Sequence, residues 1–262
     1  MQLDNVSLAY PGQNPEHPSL QDITLDIEEG EFVAVVGPSG GGKSSVINLL
    51  AGLVAPTGGQ ILLHGRPLTG PGPDRAVVFQ DYSLFPWMTA LQNIAFALKQ
   101  VGGASRERAR KLLEVVGLSD AAAKYPSQLS GGMRQRVAIA RAFALGAPVY
   151  LMDEPFGAVD AKNRIYLQDL LLRLWTEEKQ KKTIFLVTHD IDEALYLADR
   201  VVVFTPSPGR IRRIIPVPFS RPRHRSHLLR DETYIRLRND ILSLLQAELI
   251  EEFEAVEGGE GI

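Results

Sequence analysis

The stretch FVAVVGPSGGGKSSVINLLAGL, Phe32 to Leu53, has three parts, each with its own pattern. Phe32, Val33, Ala34, Val35 and Val36 make an unbroken apolar run, with the length and composition of a parallel strand buried on both faces. Val46, Ile47, Leu49, Leu50 and Leu53 return at helical spacing, which predicts a helix over Ser45 to Leu53. Between them GPSGGGKSS, Gly37 to Ser45, satisfies the phosphate-loop pattern, with Gly37, Gly42, Lys43 and Ser44 in the required places. Strand, glycine loop and helix in that order point to an α/β protein with a site for a phosphorylated ligand.

The chemistry explains the residue types. Phosphate oxygens need several backbone N–H donors at a helix N-terminus, where the helix dipole already favours negative charge. Gly37, Pro38, Ser39, Gly40, Gly41 and Gly42 supply a main chain that can come close. Lys43 then neutralises the β and γ oxygens of a nucleoside triphosphate, and the Ser44 hydroxyl is a ligand for Mg²⁺. An ordinary glycine-rich helix cap is the competing reading. The strand, the lysine and the hydroxyl together weigh against it.

Further along, VYLMDE, Val149 to Glu154, reads as an apolar strand ending in two acids. Asp153 suits the holding of a magnesium ion through water, and Glu154 suits polarisation of an attacking water as general base. Acids at the carboxyl end of a strand lie where open α/β sheets place their ligands. TIFLVT, Thr183 to Thr188, is another buried-strand pattern, and it delivers His189. Such a histidine either caps a helix or hydrogen-bonds the γ-phosphate, and a polar group so placed needs a partner. Gln80 follows the strand Ala76 to Phe79 and precedes DYSLFPWMT, a segment rich in aromatics of the exposed type. Either that loop packs on its own Phe85 and Trp87, or Gln80 meets magnesium and water while the loop meets a partner. Tyr10 closes an alternating segment, Leu3 to Tyr10; it is compatible with stacking on adenine and equally with a plain strand tyrosine.

LSGGM, Leu129 to Met133, lies between the phosphate loop and the acidic strand end. A small-residue element of this kind is what a nucleotide-binding chain needs if it is to press its glycines on the γ-phosphate held by a second copy. This narrows a general phosphate-binding chain to an ABC-type ATPase that works as a dimer. The surrounding pattern, from about Leu91 to Gly146, is helical, with stripes at Ile94, Ala97, Leu98, Val101, then Leu112, Leu113, Val115, Val116, then Val137, Ala140, Ala144. It interrupts the α/β core between Gln80 and the Asp153 strand.

With those residues in hand the chain resembles the ATP-binding subunits of ABC transporters over nearly all of Met1 to Val217. Gly70 to Leu98 together with DEPFGAVD, Asp153 to Asp160, is similar to the importers of nitrate, sulfonates, taurine and bicarbonate. The resemblance implies a P-loop ABC ATPase core with an antiparallel β subdomain and an inserted helical subdomain at about 82–146. It implies ATP and Mg²⁺ as ligands, with Gly37 to Ser45 as the phosphate loop, Ser44, Asp153 and Gln80 near the metal, and Glu154 as base. By the same resemblance His189 senses the γ-phosphate, Tyr10 stacks on adenine, Ser130, Gly131 and Gly132 reach the opposite subunit's nucleotide, and Asp160 lies at the dimer interface. The implied partners are a second ATPase subunit, two transmembrane permease subunits and, indirectly, an extracytoplasmic solute-binding protein, which puts the chain at the cytoplasmic face of the inner membrane. Met133 stands where the family usually has glutamine, and Val159 where leucine is commoner.

Composition sets outer bounds. The chain has 262 residues, 45% of them hydrophobic, a formal net charge of −3 and no cysteine. A substantial core is therefore available, thiolate metal sites and disulfides are excluded, and nothing in the charge suggests nucleic-acid binding. No apolar run approaches the ~18 residues of a membrane span, and MQLDNVSLAY does not read as a signal peptide. A chromosome-organising relative would need a long heptad insertion, a ribosome-acting one two cassettes, and an exporter its own spans. After Val217, residues 218–262 read as a basic linker and a C-terminal amphipathic helix. Gly209 to Arg230 carries arginines at 210, 212, 213, 221, 223, 225 and 230 and no acid, which reads first as solvated surface and second as a contact for anionic lipid or an acidic partner. Tyr234, Leu237, Ile241, Leu244, Leu245, Leu249 and Phe253 give the helix an apolar stripe for packing on the core, or for pairing in a dimer.

Overall fold

The computed structural model describes residues 1–12, 17–102, 106–157, 159–177 and 181–258, without the side chains of residues 177 and 248–258. Ala158, the side chains of Leu249 and Phe253, and most of the EGGEGI tail lie outside the described residues. In chain order the elements are β1 (Gln2–Leu8), β2 (Leu20–Asp26), β3 (Phe32–Val36), α1 (Lys43–Ala51), β4 (Gly58–Leu63), β5 (Arg66–Pro67) and β6 (Arg75–Val78). There follow α2 (Ala90–Gln100), α3 (Arg106–Val115), α4 (Gly131–Leu145), β7 (Val149–Asp153), α5 (Ala161–Glu177) and β8 (Thr183–Val187). The chain continues through α6 (Ile191–Leu197), β9 (Arg200–Phe204), β10 (Ile211–Pro216), α7 (Arg225–Leu228) and α8 (Glu232–Gly258). It divides into two compact units, Met1–Pro71 with Phe185–Ile262, and Gly72–Ile184.

The first unit holds an antiparallel sheet of order β2-β1-β4-β5, with Leu3 opposite Leu25 on one side and Ile61 on the other. Leu3, Val6, Ile23, Leu25 and Ile61 are all buried; Ile23 and Leu25 follow the period of two, while an irregularity in β1 at Asn5, φ 48°, lets Leu3 and Val6 both be buried although they are three residues apart. The same unit contains the strands β10-β9-β3. β3 runs parallel to β9, pairing Val33 with Arg200 through Val36 with Val203, and β10 runs antiparallel on the outer side of β9. Every residue of β3 is fully buried, as the unbroken apolar run requires, and each such branched side chain contributes about 1.5–3 kcal/mol on burial.

α1 starts at Lys43, two residues before the expected Ser45, because Lys43 and Ser44 form its first turn. It ends early as well. Gly52 takes the left-handed conformation at φ 73° and closes the last turn, so Leu53 is 51% exposed and is not a member of the buried stripe. At the C-terminal end α8 packs on α6 and β9, burying Tyr234 and Ile241, which favours core packing among the two uses expected for that helix.

The second unit pairs β6 with β7 in parallel, from Arg75 opposite Val149 to Val78 opposite Met152. Its helices α2, α3 and α4 pack on one another, and α4 also packs on β6. α2 begins in a full capping box, Thr89 with Gln92. Ile94, Ala97 and Leu98, then Val137, Ala140 and Ala144, are buried as their spacing predicts. Val101 and Val115 are 41% and 38% exposed, because Val101 has already left the helix as its C-cap and Val115 is the last residue of α3. Among the described residues no helix is long and apolar enough to cross a membrane.

Candidate nucleotide site

The first unit carries the phosphate loop. Gly42 is the N-cap of α1 in a left-handed conformation, φ 77°, and a Cβ there would lie 2.7 Å from the Ser19 carbonyl oxygen and 2.5 Å from Leu20 Cδ2. A Cβ at Gly41 would lie 2.6 Å from the Thr205 carbonyl oxygen. The loop is thus packed against the backbone that enters β2 and the backbone that leaves β9, where Gly209 and Ser19 are joined by a 3.1 Å hydrogen bond. Only glycine fits such an approach. Lys43 is buried, and its ammonium donates to the carbonyls of Gly37 at 3.0 Å and Pro38 at 2.6 Å. Ser39, Gly40 and Ser44 stay exposed, and the first turn of α1 has no acid to oppose an anion. The Tyr10 hydroxyl donates to Ser45 Oγ at 3.2 Å, which brings the ring to the start of α1. His189, also in this unit, follows the end of β8 and is exposed; Thr188 N–H donates to the Val35 carbonyl at the end of β3.

In the second unit, Asp153 ends β7 and Glu154 follows it at φ 44°, a left-handed backbone that is unfavourable for a glutamate. Such strain, of order 1–3 kcal/mol, persists only where the surroundings impose it. Gln80 Nε2 donates to Glu154 Oε2 at 3.4 Å, so this unit does bring together the glutamine and the glutamate named from sequence. Ser130 is the N-cap of α4 and accepts from Met133 N–H at 3.3 Å, with Gly131 and Gly132 in the first turn and no acid there. A Cβ on Gly132 would make only an ordinary 3.5 Å contact with Val159. The chain's own packing therefore does not demand glycine at 132. Asp160 precedes α5 and accepts from Asn163 N–H at 3.0 Å and Asn163 Nδ2 at 2.6 Å; these bonds hold its carboxyl below the usual range.

Two residues that the sequence reading passed over organise the loop after Gln80. Tyr82 and Ser83 are left-handed, φ 66° and 43°, and Arg141 of α4 donates to both of their carbonyls, at 3.1 and 2.6 Å. Burial pushes the Arg141 guanidinium below its usual range, and nearby Asp81 partly opposes that shift. Asn93 of α2 is fully buried and grips Phe85 N–H at 2.9 Å and the carbonyls of Phe85, Met88 and Thr89 at 3.3, 3.1 and 3.1 Å. The grip leaves Trp87 69% exposed beside Phe85, and a cavity of about 980 Å³ opens between Trp87, Met88, Gln92, Phe96, Arg106 and Arg110. The only hint in the sequence was the aromatic content of the loop itself. Asn93 and Arg141 sit inside helical stripes, where periodicity gives no reason to single out a polar residue.

A glycine loop between a buried parallel strand and an acid-free helix N-terminus defines a P-loop nucleotide-binding protein. A family model described as ABC transporter matches residues 20–157. The chain is similar to the bicarbonate transport ATP-binding protein of Synechocystis sp., 45% identical over 93% of this chain and 88% of the relative. It is 45% identical to the nitrate import ATP-binding protein of Synechococcus elongatus, over 94% of this chain and 91% of that one. Among solved structures, a dimeric ATP-binding cassette in a post-hydrolysis state bound to ADP and Pi superposes with a TM-score of 0.73 at 34% identity, covering 84% of this chain and 99% of that one. The chain belongs to the ABC transporter family and is one of its ATP-hydrolysing cassettes, with an α/β core, an antiparallel sheet and an inserted helical segment.

Proposed function

We propose that this chain drives import of a small anion, bicarbonate or nitrate in kind, through separate membrane subunits at the cytoplasmic face of the membrane. The observation that carries the reading is identity of 45% to bicarbonate and nitrate importer subunits along nearly the whole length. In this reading the backbone of Gly37 to Ser45 and the Lys43 ammonium bind the triphosphate, and Tyr10 stacks on the base. Glu154 accepts the proton of the attacking water, Gln80 orients that water, and His189 donates to the γ-phosphate.

The donor set fits Mg²⁺. Ser44, Asp153 and Gln80 offer hydroxyl, carboxylate and amide oxygens, all hard ligands. Among the described residues no group of three or more His, Cys, Asp and Glu is placed to hold a metal ion. Sparse oxygen donors completed by phosphate are the usual mode for this ion. When bound it would neutralise charge on the β and γ oxygens.

Ser130, Gly131 and Gly132 act on the nucleotide of a second copy. The room at Gly132 supports this, since a glycine not required by its own chain serves something that approaches from outside. Asp160 then lies beside that interface. The exposed Trp87 and the cavity beside it take a helix of the membrane subunits; Arg141 ties the loop to α4, the helix that Ser130 caps, and Asn93 ties it to α2.

Two experiments test the reading. The chain expressed with its neighbouring membrane proteins should copurify with a multi-span pair, whose ATPase rate should rise when a binding protein loaded with bicarbonate or nitrate is added. A chain that purifies alone and ignores both anions contradicts the importer assignment. Ser130→Arg should leave nucleotide binding intact and abolish hydrolysis; turnover that still rises with the square of protein concentration contradicts the role across the dimer.

A further inference from the structure

The arginine segment does something that its exposure pattern in sequence did not suggest. α6 has seven residues, too few to be stable by itself, and its N-cap is Asp190, immediately after His189. Its start is fixed by local bonds: Asp190 accepts from Glu193 N–H at 3.0 Å, and Asp190 N–H donates to Thr188 Oγ1 at 3.0 Å. The rest of the grip comes from the C-terminal segment. In the first turn Asp192 accepts from the Tyr234 hydroxyl at 2.9 Å and from Arg238 Nε at 2.9 Å.

At the other end of α6, Arg223 Nη1 donates to the carbonyls of Leu195, Tyr196 and Ala198, at 3.1, 3.0 and 2.7 Å. Carbonyls in a last helical turn lack intrahelical partners, and one guanidinium supplies them here. Arg221 adds a bond to the Leu197 carbonyl at 2.5 Å, and Arg225 stacks 3.5 Å over the Tyr196 ring. Phe219 lies against the Tyr234 ring. Residues 219–238 therefore hold both ends of the one helix whose first turn follows His189.

We infer that this segment is a strap on α6, and that Tyr234, Arg238 and Arg223 are positioning residues that set where His189 stands. The inference rests on the reading of His189 as the group that donates to the γ-phosphate. Any displacement of α8 displaces the turn at Asp192, three residues from the histidine.

The test is a double-mutant cycle on the full chain. Tyr234→Phe with Arg238→Gln keeps the buried ring and removes the polar grip on Asp192. ATP hydrolysis is measured with these changes in the parental chain and in His189→Ala, with thermal unfolding as a check on folding. We expect kcat to fall about 3–10-fold with KM within about twofold, and no further fall in the His189→Ala background, the non-additivity of groups acting as one. Parental kcat, or an equal loss with and without the histidine, overturns the strap. If His189→Ala alone hydrolyses ATP at the parental rate, the histidine's role fails and the inference falls with it, a result distinct from failure of the strap. Should the double variant not fold, Asp192→Ala answers the same question, because it removes the acceptor of both bonds and Asp192, 45% exposed at the side chain, is not part of the core.

Discussion

Lys43 and Arg223 are both buried cations held by backbone carbonyls, and they show two different ways in which a positive charge is used. The carbonyls of Lys43 belong to Gly37 and Pro38, six and five residues upstream, in a loop with exposed Ser39 and Gly40. Those of Arg223 are 28, 27 and 25 residues upstream, at the closed end of a buried helix. The lysine sits where an incoming anion can exchange partners with it. The arginine is locked, and although burial pushes its guanidinium down to about 10 it remains charged at neutral pH. On the proposed function one cation serves chemistry, whereas the other serves architecture.

The largest effect should come from the catalytic side without touching the architectural one. Glu154→Gln is expected to cut turnover about 10²–10⁴-fold, the usual contribution of a general base, and to leave nucleotide binding and the melting temperature unchanged. Steady-state hydrolysis and a fluorescent-nucleotide titration on the same preparation check it. Hydrolysis near the parental rate removes Glu154 from the mechanism.

Lys43→Ala should cost about 10²–10³-fold in hydrolysis, the range for a preorganised electrostatic stabiliser, with a melting temperature within a few degrees of the parent. Arg223→Met should act mainly on stability, with no more than the roughly 3–10-fold loss of kcat expected when the strap on α6 is loosened. It leaves carbonyls at a buried helix end without donors and should destabilise by about 2–4 kcal/mol, at ~1–3 kcal/mol for each unsatisfied group, offset by partial hydration. At roughly 2–4 °C per kcal/mol for a chain of this size, the melting temperature should drop by roughly 5–15 °C. The affinity for nucleotide should hold. If Lys43→Ala unfolds the chain and Arg223→Met only lowers its affinity for ATP, the division of roles is inverted.

The same contrast explains what could be read in the sequence. Phe32 to Val36, Gly37 to Ser45 and the β7 strand are legible because each element's physics is contained in consecutive residues: apolar run, glycine approach, acid at a strand end. The capping role of Ser130 is local too, a bond to Met133 three residues on. Arg223, Arg141 and Asn93 were not legible. Their partners are carbonyls, which every residue carries, so nothing in the partner's identity marks the contact. The arginine segment was read as solvated surface for this reason. Arg212, Arg213 and Arg230 are indeed exposed, whereas Arg223 is buried and Arg221 bonds Asp199 at 2.7 Å. Leu53 shows the opposite error, an apolar residue counted into a stripe that Gly52 had already ended.

Asp160 belongs with Lys43 on the local side, since its partner Asn163 is three residues away, and it offers the smallest of these effects. Its carboxyl is held below its ordinary value by the N–H and the side-chain amide of Asn163, while the group remains fully exposed. The folded pKa is depressed, so the stabilisation is fully present above the unfolded value of 3.8 and is lost as pH falls through the lower folded value. At neutral pH nothing titrates here. Below about pH 4 the start of α5 should fray. Asp160→Asn keeps an acceptor at the helix start but cannot titrate, and asparagine caps about as well as aspartate. Thermal unfolding of both chains from pH 7 to 3 should therefore give parallel curves down to about pH 4, with the parent falling faster below it. Identical slopes throughout that acid range would mean that the exposed carboxylate is screened so well that its hydrogen bonds do not register in stability.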